Sequence, residues 1–244
     1  MERLLDLMEK LKRTKEHAGK IFIVGAGPGT PDFITPIARK TVQNAHLLIG
    51  SKRVLNMLSS SSEIRGEVLS LNASNIHSTL KFGIEVAKSG KSVVILSTGD
   101  PCIFGLLKPV LKIKEDVEIE VIPGISSIQT CLARLCLCWD DIGLLISFHE
   151  ETSPEKKKML IKAVNEGKNI VLLPGPKSFP PNKILNFLLA QGFDEELPVA
   201  ICERLTYPEE KIVKGTLKSL SRLSFDPLSV MVIEKLRSTQ TQSE

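Results

Sequence analysis

Short apolar runs that stop on glycine recur through the chain, with helical stretches between them, and this alternation restricts the fold more than any other feature. Residues 21–24 run into Gly25. Residues 47–49 run into Gly50 and Ser51, 93–96 into Ser97, Thr98 and Gly99, and 119–122 into Pro123 and Gly124. Uninterrupted apolar strands of this kind suit a sheet covered on both faces. Helical spacing fills the gaps at 35–44 and at 76–88, the second stopped by Gly90. Strand, loop and helix in repetition predict a parallel α/β sheet. In such sheets ligands gather beyond the carboxyl ends of the strands, which is where these glycines fall.

The pattern restarts after Asp141. Strands are predicted at 144–147, 170–173, 199–202, 211–214 and 230–234, with Pro174, Gly175 and Pro176 breaking the second of them. Helices are predicted at 154–165 and at 183–190, the latter stopped by Gly192. The last two strands follow closely without long helices, which predicts a mixed sheet. The chain therefore reads as two α/β domains, 20–141 with a parallel sheet and 142–237 with a mixed one. Residues 1–19 read as an amphipathic helical extension, its stripe formed by Leu4, Leu5, Met8 and Leu11. Residues 59–62 read as a surface loop and 238–244 as a polar, flexible tail.

Composition narrows the function classes. An apolar share of 42% and a charged share of 25% describe an ordinary globular chain. The longest uncharged apolar stretch, 121–133, is well short of the ~20 residues of a membrane span, and the charged N-terminus lacks a signal-peptide core. A net charge of +4 with nine Phe, one Trp and one Tyr gives no nucleic-acid footprint, yet suits a small polyanion. Five cysteines without a secretion signal read as reduced thiols in the cytoplasm. On a helix continued through 128–138, Cys131 and Cys138 share a face and Cys136 does not. The three read as buried core thiols, and no metal site is expected.

Three loops could carry chemistry. Gly25-Ala26-Gly27-Pro28-Gly29 departs from a dinucleotide fingerprint, because Thr30 stands at the sixth position. Lys52 and Arg53 follow the second strand, where an acid would hold a ribose. The second loop, Ser97 to Gly105, carries Asp100, which can cap a helix, hold ribose hydroxyls or meet a cation. The third, Pro123 to Ser127, offers two hydroxyls and free amides at a helix start. Any one of them can be a plain turn or cap; three at one sheet edge predict a shared pocket.

GAGPG at 25–29, STGDPCIFG at 97–105 and PGISS at 123–127, in this order and spacing, resemble the tetrapyrrole methylase family. The resemblance covers roughly residues 20–236. GSKRVL at 50–55, WDDIGLLISFHE at 139–150 and CERLTYPEEKIVKGTL at 202–217 resemble the branch that methylates C5 of cobalt-precorrin-7 in cobalamin biosynthesis. The resemblance implies a two-domain α/β fold and S-adenosyl-L-methionine as cofactor. By motif position, Pro28, Thr98, Gly99, Asp100, Ile103, Ser126, Ser127, Pro174 and Leu205 would bind it. The family has an acid directly after GAGPG; here Thr30 stands there, and Asp32 is the candidate for that role.

Methyl transfer from a sulfonium asks mainly for alignment, with a base adding a factor of ~10²–10⁴. His149 is the titratable candidate, although a satisfied strand-end histidine reads equally well. Lys52 and Arg53 could pair with the carboxylates of a tetrapyrrole, or could simply be solvated. The resemblance further implies a homodimer and a separate protein for C15 methylation and decarboxylation; composition and hydropathy imply no nucleic-acid or membrane partner. Rival readings are a methylase of another corrin carbon or of diphthine, a nicotinamide-dependent oxidoreductase, and a ligand-binding protein without turnover.

Overall fold

The computed structural model describes residues 7, 19–59, 64–149 and 152–235. The expected tail at 238–244, most of the 59–62 loop and all of the N-terminal extension except Leu7 and Gly19 lie outside these. The chain forms two compact units, divided between Ser126 and Ser127.

The first unit runs β1 (Lys20–Gly25), α1 (Pro36–Gln43), β2 (Leu47–Ser51), α2 (Lys52–Ser59), β3 (Glu67–Leu71), α3 (Ile76–Lys88), β4 (Val93–Ser97), α4 (Leu107–Leu111) and β5 (Glu118–Ile122). Its five strands pair in the order β3-β2-β4-β1-β5, every neighbour parallel. Alternate residues of each strand feed different cores, because strand side chains point to opposite faces. Ile21, Ile23, Leu47, Ile49, Val93 and Ile95 pack with Leu80, Ile84 and Ala87 of α3. Val24, Leu48, Val94 and Leu96 pack with Ala38 and Val42 of α1 and with Val54, Leu55 and Leu58 of α2. Burial on both faces is why these strands read as continuous apolar runs. α1 starts where Thr35 accepts a hydrogen bond from the Ala38 amide at 3.3 Å and Pro36 takes the first position. At one edge, Lys20 of β1 pairs with Glu118 and Glu120 of β5 at 2.6 and 2.8 Å.

The second unit runs α5 (Ser127–Leu135), β6 (Ile142–Ser147), α6 (Pro154–Asn165), β7 (Asn169–Leu173), α7 (Pro181–Ala190), β8 (Pro198–Glu203), β9 (Lys211–Thr216), α8 (Leu217–Leu220) and β10 (Ser229–Ile233). Its sheet has the order β6-β7-β10-β8-β9 and is mixed, as expected: β6 and β7 are parallel and the other neighbours antiparallel. Ser153 caps α6 by accepting from the Lys156 amide at 3.3 Å, with Pro154 at the first position. The core gathers Ile170, Leu172, Ile201 and Met231 around Phe148 and Phe179, whose rings meet edge to face at 5.0 Å.

Three readings need correction. The division lies at 126/127 rather than 141/142, because α5 packs on β10 and belongs to the second unit although the strand pattern restarts only later. β3 was not read, since Glu67 and Ser70 interrupt its apolar residues and, as an edge strand, it buries little of itself. The helix carrying Cys131 ends at Leu135: Cys136 takes φ 54° and the Leu137 amide donates back to the Leu132 carbonyl at 3.0 Å, a left-handed cap. Cys138 therefore shares no helix face with Cys131. Cys131 is buried, whereas Cys136 and Cys138 are exposed. Among the described residues no cluster could hold a metal ion and no helix is long and apolar enough to cross a membrane.

Phe148 is fully buried and supports the turn that follows β6. Phe148→Ala is expected to destabilise the chain by about 3–5 kcal/mol, read from the midpoint of urea unfolding.

Candidate active site

All five strands of the first sheet point the same way, so the segments after β2, β4, β1 and β5 emerge side by side at one edge. They fit together through main chain. The Ala26 amide donates to the Ser97 carbonyl at 2.9 Å, and Gly27 and Gly99 form an antiparallel bridge in which the Gly99 amide donates to the Gly27 carbonyl at 2.8 Å. Gly99 holds φ 66°, a left-handed backbone that glycine adopts without a Cβ clash. A Cβ on Gly124 would lie 2.7 Å from the Gly25 Cα and would strike the Gly99 carbonyl oxygen. Neither obstacle is a side chain that could swing away.

Asp100 joins two of these loops. It is buried, and its Oδ1 accepts from the Cys102 amide at 2.7 Å while Oδ2 accepts from the Gly124 amide at 3.0 Å. The carboxylate caps no helix; both its oxygens take amides of loops, one from its own turn and one from the loop after β5. The Ser97 hydroxyl accepts from the Leu106 amide at 3.2 Å and so closes the same turn. Thr98 is exposed, and its hydroxyl accepts from Arg53 Nη2 at 2.9 Å. Arg53 is thus tied to the Thr98 loop, while Lys52 beside it at the start of α2 is exposed. Pro28, Gly99 and Ser126 are buried, and Ile103 is half-buried in the turn after Asp100. Asp32 is exposed on a single 3-10 turn, Pro31–Phe33. Ser127 opens α5 and so belongs to the second unit.

In the second unit β7 and β8 are each antiparallel to β10, and β6 is parallel to β7, so β6, β7 and β8 share one direction. Their carboxyl ends carry His149, Pro174 and Leu205. His149 is exposed, and its amide donates to the Ser147 hydroxyl at 3.2 Å. Pro174 is buried, next to a small bridge between Gly175 and Phe179. Leu205 is buried between two residues with left-handed backbone, Arg204 at φ 49° and Thr206 at φ 70°. The Thr206 amide donates to Glu210 Oε2 at 2.6 Å, and Arg134 Nε of α5 donates to Glu210 Oε1 at 2.6 Å. The Arg134 guanidinium, with help from the Thr206 amide, holds the Glu210 carboxyl below its ordinary range. Nearby, a hydrogen bond with Cys202 of β8, together with burial, pushes the Cys131 thiol up, so it stays protonated.

Glu210 and Arg134 were assigned no role by the sequence reading. Glu210 stands inside the quoted 202–217 stretch, but the backbone amide it serves and the arginine that holds it, 76 residues away, appear only in the fold.

Residues 20–221 match the family model of Tetrapyrrole (Corrin/Porphyrin) Methylases. A probable cobalt-precorrin-7 C(5)-methyltransferase of Methanocaldococcus jannaschii is 37% identical over 221 residues, covering 88% of this chain and 97% of the relative. A cobalt-precorrin-4 C(11)-methyltransferase of the same organism is 31% identical over 211 residues, covering 83% and 80%. The crystal structure of a cobalt precorrin-4 methyltransferase superposes with a TM-score of 0.73 at 25% identity, over 88% of this chain and 94% of that one.

Gly124→Ala forces main chain apart and is expected to lower stability by at least about 1–3 kcal/mol, measured by urea unfolding. A pH series tests the Glu210 ion pair. Its folded pKa lies below the ordinary 4.5, so the stabilisation is full above about pH 4.5 and fades as pH falls through the lower folded value. The stability gap between wild type and Glu210→Gln is expected to be widest near pH 7 and to narrow toward pH 3.

Proposed function

Because the chain belongs to the tetrapyrrole methylase family, whose members use S-adenosyl-L-methionine, we propose that it methylates C5 of cobalt-precorrin-7 in cobalamin biosynthesis. The observation that carries the substrate is the 37% identical relative of that name, matched across 97% of its length. The 31% identical relative acts on a different corrin carbon by its name, so another ring position is the second reading.

The residues present fit the cofactor. Main chain around Thr98 and Gly99 borders a loop cluster thinned by glycine and fixed by Asp100. In this reading Pro28, Thr98, Gly99, Asp100, Ile103, Ser126 and Ser127 hold the cofactor, and Pro174 and Leu205 meet its adenine. Asp100 contributes through the loops it ties together, since both its oxygens serve amides. The bound cofactor supplies a methyl group made electrophilic by a positive sulfur. The electron-rich macrocycle supplies the attacking carbon, so the chain's main work is to align the two, worth about 7–11 kcal/mol in favourable cases. Lys52 and Arg53 pair with substrate carboxylates, Arg53 linking that contact to the Thr98 hydroxyl. His149 and Asp32 are the groups available to take the proton released from the methylated carbon. The enzyme acts in this reading as a cytoplasmic homodimer, with C15 methylation and decarboxylation left to a separate protein.

Two measurements test this. Calorimetric titration should show binding of S-adenosyl-L-homocysteine and none of NAD; the reverse result would return the nicotinamide reading. Under anaerobic conditions, cobalt-precorrin-7 should gain one methyl group at C5, and methylation elsewhere on a corrin would select the second reading. Lys52→Ala is expected to raise KM for the tetrapyrrole a few-fold and leave binding of S-adenosyl-L-homocysteine unchanged.

A further inference from the structure

Residues 204–210 connect the antiparallel neighbours β8 and β9, a join that a two-residue turn could make. Instead the connection holds two non-glycine residues in left-handed conformation. Thr206, at φ 70°, is β-branched and a genuine outlier. Such backbone is strained and persists only where its surroundings over-determine it, as they do at ligand clamps.

The surroundings here are specific. The Arg204 amide donates to the Leu228 carbonyl at 2.8 Å, and the Tyr207 amide donates to the Arg204 carbonyl at 3.0 Å. The Arg204 side chain reaches Asp226 at 3.3 Å and lies over the Tyr207 ring. The remaining corner, Thr206, is held by Glu210 Oε2 at 2.6 Å. Glu210 is held in turn by Arg134, with Nε at 2.6 Å from Oε1 and Nη2 at 3.5 Å from Oε2. One charge-assisted carboxylate therefore couples helix α5 to the strained corner at the carboxyl end of β8.

We propose that Glu210, oriented by Arg134, is a positioning residue that keeps the strained Arg204–Thr206 turn in shape, so that the main chain at Leu205 is presented to S-adenosyl-L-methionine already formed. This rests on the proposed function, which puts Leu205 against the cofactor. A turn that must be strained by the ligand itself binds more weakly, because ordering is then drawn from the binding energy.

The test is calorimetric titration of the whole chain with S-adenosyl-L-homocysteine, with melting temperatures taken on the same samples. Glu210→Ala is expected to raise Kd at least tenfold. Glu210→Gln keeps an oxygen to accept the Thr206 amide and should stay within about threefold of wild type. Arg134→Ala should fall between the two. An unchanged Kd in Glu210→Ala, whatever its melting temperature, overturns the proposal, as does Glu210→Gln binding as weakly as Glu210→Ala. If Glu210→Ala fails to fold, Arg134→Ala, altered at a half-exposed side chain, decides: a wild-type Kd there overturns the proposal. If wild type itself binds none of this ligand, the proposed function falls first and this inference with it.

Discussion

The first unit depends on backbone meeting backbone at the tips of β1, β4 and β5. The approach of Gly124 to Gly25 and to the Gly99 carbonyl leaves no space for a side chain. The Asp100 carboxylate, taking one amide from each of two loops, makes the same contact directional. Non-directional burial of Ile23, Val24, Ile95 and Leu96 brings these strands together but leaves the loops at their ends undetermined. Glycine contact and carboxylate clamp settle the loops. Positions of Thr98 and, through it, of the Arg53 guanidinium follow from that arrangement.

The two units reach unusual backbone by opposite means. At Gly99 the left-handed conformation is free of steric cost because no Cβ is present. At Arg204 and Thr206 side chains are kept and the conformation is imposed by a web of ion pairs and amide contacts. The first solution needs no side chain at the glycine itself; the second needs side-chain partners from outside the turn. A single chain thus contains one turn freed by the lack of a Cβ and one held by the side chains around it.

Much of the architecture was readable because burial on both faces leaves an unmistakable trace. The runs at 21–24 and 93–96 are apolar throughout because neighbouring residues feed separate cores, and α3 and α6 were found at their full extents from their apolar spacing, α6 with a Ser153 cap and α3 with Gly90 just past its end. β3 was hidden by its edge position, and α4 by having five residues with Pro109 among them. The glycine loops were legible as a set. The part Asp100 plays was not decidable, since a carboxylate after a strand suits a cap, a ligand or a clamp between loops, and only the position of the Gly124 amide shows the clamp. Glu210 could not be read at all: its meaning lies in the φ of Thr206 and in an arginine on a distant helix.

Outer strands face a hazard the inner ones escape, since an unpaired row of amides and carbonyls invites another chain to add itself. β5 ends the first sheet with Glu118 and Glu120 drawn across to Lys20, and β9 ends the second with Lys211 and Lys214 along its length. Charge on these two of the four edge strands discourages strand-by-strand growth into fibrils. Charge along these two borders therefore disfavours aggregation of the folded chain, a service separate from anything that happens at the strand tips.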